Sequence, residues 1–180
     1  MGATTQLMTF AEFEKLPDDV CRHSELRHGE LVSVPPPKHR HRLFQDRLVE
    51  LLKAYAGNNY VGIEVSFRAL PEHEFRSADV AVVNRQRWQQ VRGDDNLRGS
   101  PELVIEVLSP SNTSSEMNDR KTLCLDNGCR EFWVIDPWNI QIDVSTPDGR
   151  TVTYRRGQSI PLPLFGGATL AVDEVFRGLD

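Results

Sequence analysis

Leu103-Val104-Ile105-Glu106-Val107-Leu108 is an apolar run interrupted once, by a carboxylate. Such a run predicts a strand buried on both faces of a sheet. A lone carboxylate there would lose its hydration without compensation, at a cost of several kcal/mol. Glu106 must therefore be protonated, paired with a cation or bound to a metal. The run Ala78-Asp79-Val80-Ala81-Val82-Val83 repeats the anomaly with an aspartate. Two acids planted in two core strands mark a candidate site.

Outward from these strands, the chain punctuates itself clearly. Thr9-Phe10-Ala11-Glu12 has capping-box spacing and predicts a short helix that ends before Pro17. Residues 24–34 read as a hairpin with Gly29 in the turn, stopped by Pro35-Pro36-Pro37. Leu43, Phe44, Leu48, Leu51, Leu52 and Tyr55 recur at helical spacing, so a long helix is expected over about 38–56, closed by Gly57. Strands are expected near 60–69, 78–83 and 102–108, with a helical turn around Trp88. Thr113-Ser114-Ser115-Glu116 opens a second long helix that Gly128 closes. Strands near 131–135, 140–145 and 151–155 follow, with Asp148-Gly149 turning the last pair. The remainder reads as loop, a short strand near 169–172 and a helical turn from Asp173. This order predicts an α+β (mixed α/β) domain whose central sheet carries the long helices. A single domain over 1–180 is expected, with an N-terminal helical extension (about 8–18) and a C-terminal strand/loop tail (about 157–180).

The composition, 39% hydrophobic and 26% charged, is that of an ordinary soluble protein. No stretch approaches a membrane span and no secretory leader opens the chain, so a cytoplasmic protein without membrane contact is expected. Three cysteines in no metal or redox spacing fit a reducing compartment. The net charge of −5 argues against general affinity for nucleic acid, which depends on Lys and Arg. Local basic groups exist nonetheless: Lys38-His39-Arg40-His41-Arg42, and Arg85, Arg87, Arg92 and Arg98, the second reading best as solvated surface.

At 100° per residue, Met117, Lys121, Cys124 and Leu125 share one face of the second long helix, with Asp119, Thr122 and Leu123 away from it. Lys121 is thus expected to face the sheet, where burial disfavours an ammonium unless carboxylates await it. Asp79 and Glu106 could hold Mg²⁺ or Mn²⁺ through oxygen, with Lys121 orienting or deprotonating the water that attacks a phosphate ester, or stabilising the developing charge. The competing structural reading is an internal salt bridge, in which Lys121 neutralises one acid and leaves the other unmatched.

The chain resembles the Uma-type restriction-endonuclease-like family, a branch of the PD-(D/E)xK nucleases, along nearly its whole length. The marks are Thr9-Phe10-Ala11-Glu12-Phe13, the segment Glu25-Leu26-Arg27-His28-Gly29-Glu30-Leu31, His41 and Arg76-Ser77-Ala78-Asp79-Val80. They continue with Pro101-Glu102 and the Glu106 strand through Ser111, then Lys121, Gly128 and Glu131-Phe132-Trp133-Val134-Ile135-Asp136-Pro137. The resemblance implies a restriction-endonuclease-like sheet, DNA as substrate and Mg²⁺ or Mn²⁺ as cofactor. Asp79 and Glu106 become the metal-binding acids, Lys121 a migrated catalytic lysine and Glu30 an additional acid. Ala78 stands where a proline is usual, Val107-Leu108 offers no lysine after Glu106, and Cys124 stands where tyrosine is usual.

His41, Arg40 and Ser109 are candidates for phosphate contact; a polar helix start and a hydrogen-bonded loop are the structural alternatives. Paired sites on a two-stranded substrate suggest a homodimer. The other readings are a catalytically silent protein of this fold acting as a binding or regulatory module, and a hydrolase of smaller phosphate esters.

Overall fold

The computed structural model describes residues 7–91, 93 and 95–179; Arg92 of the second basic group lies outside them. The chain begins with α1 (Phe10–Phe13) and α2 (Asp18–Arg22), then the hairpin β1 (Ser24–Arg27) and β2 (Glu30–Ser33). Next come α3 (His39–Lys53), β3 (Tyr60–Arg68), β4 (Arg76–Val83), α4 (Arg85–Gln90) and β5 (Leu97–Arg98). β6 (Leu103–Val107), α5 (Ser114–Asp126), β7 (Glu131–Asp136), β8 (Gln141–Ser145) and β9 (Thr151–Arg155) follow. β10 (Ser159–Leu162), a 3₁₀ turn at Pro163–Phe165, β11 (Ala168–Ala171) and α6 (Val172–Phe176) complete the fold.

Seven strands form one mixed sheet in the order β5-β3-β4-β6-β7-β8-β9. β6 sits at its centre and every one of its residues is buried, as its apolar run demands. β6 and β7 run parallel, which requires a crossover rather than a tight turn. α5 is that crossover, and this places it directly after the Glu106 strand.

A helix stands on each face because each face is apolar. On one, Phe44, Leu48 and Leu52 of α3 are completely buried against Val80, Val82, Leu103, Ile105 and Trp133. Full burial of such a side chain contributes roughly 1.5–3 kcal/mol. On the other, Leu123 and Cys124 of α5 pack on Ala78, Ala81, Val104 and Phe132. Both capping boxes form: Thr9 and Thr113 each accept from the backbone three residues on, and Glu12 and Glu116 reach back.

Two expectations need correction. The segment after residue 157 is not mostly loop, because β10 pairs antiparallel with β11 despite Pro161. Pro161 occupies an edge of a two-stranded sheet, where a missing N–H is tolerated. Ile160, Leu162, Leu170, Val172 and Phe176 then seal the α3 side of the core. In α5, the inner face is set by Arg120, Leu123 and Cys124. Lys121 is only half-buried, on a row with Met117 and Leu125 at the rim of the core.

Candidate active site

Asp79 and Glu106 come together where the sheet opens. β4 and β6 pair from Val82–Leu103 through Val80–Ile105 and no further. One more step of that register would set Asp79 opposite Glu106. The Val107 N–H, left without a ladder partner at this point, donates instead to Asp79 Oδ2 at 2.7 Å. The aspartate thus satisfies a backbone group that the splay would orphan.

The pairing lapses on the other side of Asp79 as well. β3 and β4 match at Ile63–Val80 and at Val65–Ala78, with no pair between, so Glu64 lies across from Asp79. Ile63 and Val80 belong to the α3-side core, whereas Val65 and Ala78 belong to the α5-side core. The two strands therefore exchange faces at this step. Glu64 absorbs the change with a left-handed φ of 51°, an unusual conformation for a residue other than glycine. Glu64, Asp79 and Glu106 form a row across three adjacent strands.

The first turns of α3 hold this row from one side. His41 Nε2 lies 3.0 Å from Asp79 Oδ1. Gln45, one helical turn on and fully buried, donates from Nε2 to Glu64 Oε1 at 2.5 Å and to Asp79 Oδ1 at 3.3 Å. Burial works against charge on His41, but the hydrogen bond to Asp79 and the nearby Asp79 and Glu64 charges outweigh it and raise its pKa.

α5 holds the other side, through Arg120. Its guanidinium donates to Glu106 Oε1 at 3.1 Å, to Glu25 Oε2 and Oε1 at 2.6 and 2.7 Å, and to the Ser77 carbonyl at 2.8 Å. Glu25 also accepts from the Ser77 N–H at 2.9 Å and from Arg27 Nε at 2.8 Å. Burial alone would raise the Glu25 pKa; Arg120, the Ser77 N–H and Arg27 overcome it and lower it. Glu106 shares the same arginine but is less well served. Burial pushes its carboxyl up to about 8 against the pull of Arg120, and the Asp79 and Glu25 charges add to the rise. Burial likewise opposes the Arg120 charge, yet Glu106 and Glu25 raise its pKa overall.

The remaining candidates fall elsewhere. Lys121 makes no hydrogen bond or ion pair among the described residues, so the inward cation expected of it is Arg120, one residue earlier. A planar fork spans two carboxylates, which a single ammonium does less well. Glu30 is exposed on β2 beside Arg27 in register; Glu25 is the hairpin acid that reaches the site. Arg40 is exposed and donates to the Pro137 and Leu179 carbonyls at 3.5 and 3.2 Å. Ser109 closes a small loop on Ser111 and Asn112. Glu64, Gln45 and Arg120 were not singled out from the sequence, although Gln45 stands four residues after His41 on the same helical face; Glu25, which reads there as an ordinary exposed hairpin acid, is instead buried.

Among the described residues no three His, Cys, Asp or Glu side chains form a ready-made metal cage. The donor set nevertheless suits a hard divalent cation, which takes one or two carboxylates and fills its remaining positions with water and phosphate. Glu106 Oε2 accepts no hydrogen bond among the described residues, and Asp79 Oδ2, which accepts from the Val107 N–H, retains a second lone pair. The Asp79 and Glu25 charges add to the protonation of Glu106, which a divalent cation would relieve.

A large mixed sheet flanked by helices, with acids at a splayed strand pair, is the restriction-endonuclease-like fold. The chain belongs to the Uma2 family, described as "putative restriction endonuclease", whose model matches residues 10–173. A solved structure from Anabaena variabilis ATCC 29413, described as "a putative nuclease belonging to DUF820", is similar with a TM-score of 0.81 and 21% identity. The match covers 96% of this chain and 99% of that one. No curated protein matches the chain significantly.

Proposed function

We propose that the protein is a metal-dependent endonuclease that hydrolyses phosphodiester bonds in DNA, acting as a homodimer. The observation that carries this reading is the juxtaposition of Asp79 and Glu106 where the β4–β6 ladder stops. Family membership supports nuclease chemistry in general.

Asp79 and Glu106 would hold Mg²⁺ or Mn²⁺. When bound, such an ion neutralises phosphate charge and lowers the pKa of a coordinated water. His41 and the Val107 N–H fix the two oxygens of Asp79. Arg120 fixes one oxygen of Glu106 and leaves the other open. Glu106 must give up its proton to serve as a ligand, so the proton and the metal compete for it. Lys121, without an ion pair among the described residues, is available to meet charge developing on the phosphate.

A second reading is favoured by one observation: Glu106 already has a buried partner within the protein, Arg120 at 3.1 Å. A catalytically silent binding or regulatory module would need nothing more. Supercoiled plasmid incubated with Mg²⁺ or Mn²⁺ separates the two, with Glu106→Ala in parallel. Cleavage by the wild type alone supports the nuclease; equal cleavage by both, or none by either, removes the enzymatic assignment.

A further inference from the structure

We infer that Glu64 is the catalytic base of this site, a role resting on the nuclease reading but assigned to a residue outside its metal-binding pair. Hydrolysis requires a group that accepts the proton of the attacking water. Arg120 cannot, since a guanidinium does not deprotonate in proteins. Lys121 touches neither acid. Asp79 is held on both oxygens, by His41 and Gln45 on one and the Val107 N–H on the other. Glu106 is bound by Arg120 in the buried wall.

Glu64 differs from each of these. It is exposed at the open edge of the row, so water and substrate can reach it. Oε1 is clamped by Gln45, while Oε2 accepts no hydrogen bond among the described residues. The clamp is unusual, because Gln45 is fully buried and its own Oε1 has no partner. A buried amide that leaves its oxygen unsatisfied yet ties together two carboxylates is oriented for those carboxylates. The left-handed backbone at Glu64 points the same way, being a costly conformation kept at the step opposite Asp79.

In the step assigned here, the water oxygen forms a bond to phosphorus while its proton passes to Glu64 Oε2. The bond from phosphorus to the leaving sugar oxygen breaks, with its electron pair going to that oxygen, which takes a proton from solvent. Glu64 then returns its proton to solvent.

The test compares wild type, Glu64→Gln and Glu64→Asn, the last tolerating left-handed backbone. Three quantities are measured: single-turnover plasmid cleavage across pH 5.5–9, KM for DNA, and Mn²⁺ affinity by calorimetry. A base predicts a fall of about 10²–10⁴-fold in rate in both variants. It also predicts KM for DNA and Mn²⁺ affinity within about threefold of wild type. Undiminished cleavage overturns the assignment while leaving the nuclease standing. Loss of Mn²⁺ affinity in step with rate also overturns it, making Glu64 a ligand. A wild type that binds Mn²⁺ without cutting DNA removes the nuclease reading, and the base falls with it.

Discussion

Replacing Arg120 by methionine keeps the length and apolar stem of the side chain and removes only its charge and donors. Four hydrogen bonds go with them: two to Glu25, one to Glu106 and one to the Ser77 carbonyl. Glu25 and Glu106 are 3% and 6% exposed, so neither can recover its hydration. Breaking a buried pair from one side costs about 3–5 kcal/mol. At about 2.1 cal/mol/K per residue, a chain of this length has an unfolding entropy near ~0.4 kcal/mol/K, which converts that cost to a fall in Tm of roughly 8–13 °C. Thermal melts followed by circular dichroism at pH 7.5 measure it directly. The penalty should shrink at pH 5, where the stranded Glu25 carboxyl can take up a proton, and should partly reverse when Glu25→Gln is added. A Tm within about 2 °C of wild type at pH 7.5 would refute the claim that one arginine serves two buried acids.

Further expectations follow from the same contacts. Glu106 keeps its proton up to about 8 in the folded protein but releases it near ~4.3 when unfolded. The stability it contributes is therefore complete below the unfolded value and lost as pH rises through the folded one; Glu106→Gln should flatten the decline in Tm between pH 5 and pH 8.5. Asp79→Ala should abolish cleavage and Mn²⁺ binding, and calorimetry should show no residual heat at the site. Glu30→Ala should stay within about 0.5 kcal/mol of wild type in denaturant melts, as exposed sites generally do, whereas Glu25→Ala should not. Thr113→Ala, removing the cap of α5, should cost ~1 kcal/mol in the same assay.

The strands and helices that build the sheet were legible because their apolar periods are unambiguous. Glu106 and Asp79 announced themselves by interrupting such runs, and the caps at Thr9 and Thr113 by their spacing. The C-terminal hairpin was hidden by Pro161, which reads as a loop residue until its edge position is known. Arg120 was hidden for a subtler reason. The helical face drawn through Met117, Lys121, Cys124 and Leu125 passes Arg120 by, and only the location of Glu25, 95 residues away in sequence, explains why the arginine turns inward. Glu64 was concealed in turn, because a polar residue in an alternating strand reads as outward-facing. Its role in the row depends on a backbone reversal that no local pattern encodes.

The most direct test of a cation held between two carboxylates is anomalous diffraction from crystals grown with Mn²⁺. A single strong peak bonded to oxygens of both Asp79 and Glu106 is the predicted result. A Mn²⁺-saturated crystal with no peak at the splayed β4–β6 edge, and Arg120 still closing over Glu106, would contradict it.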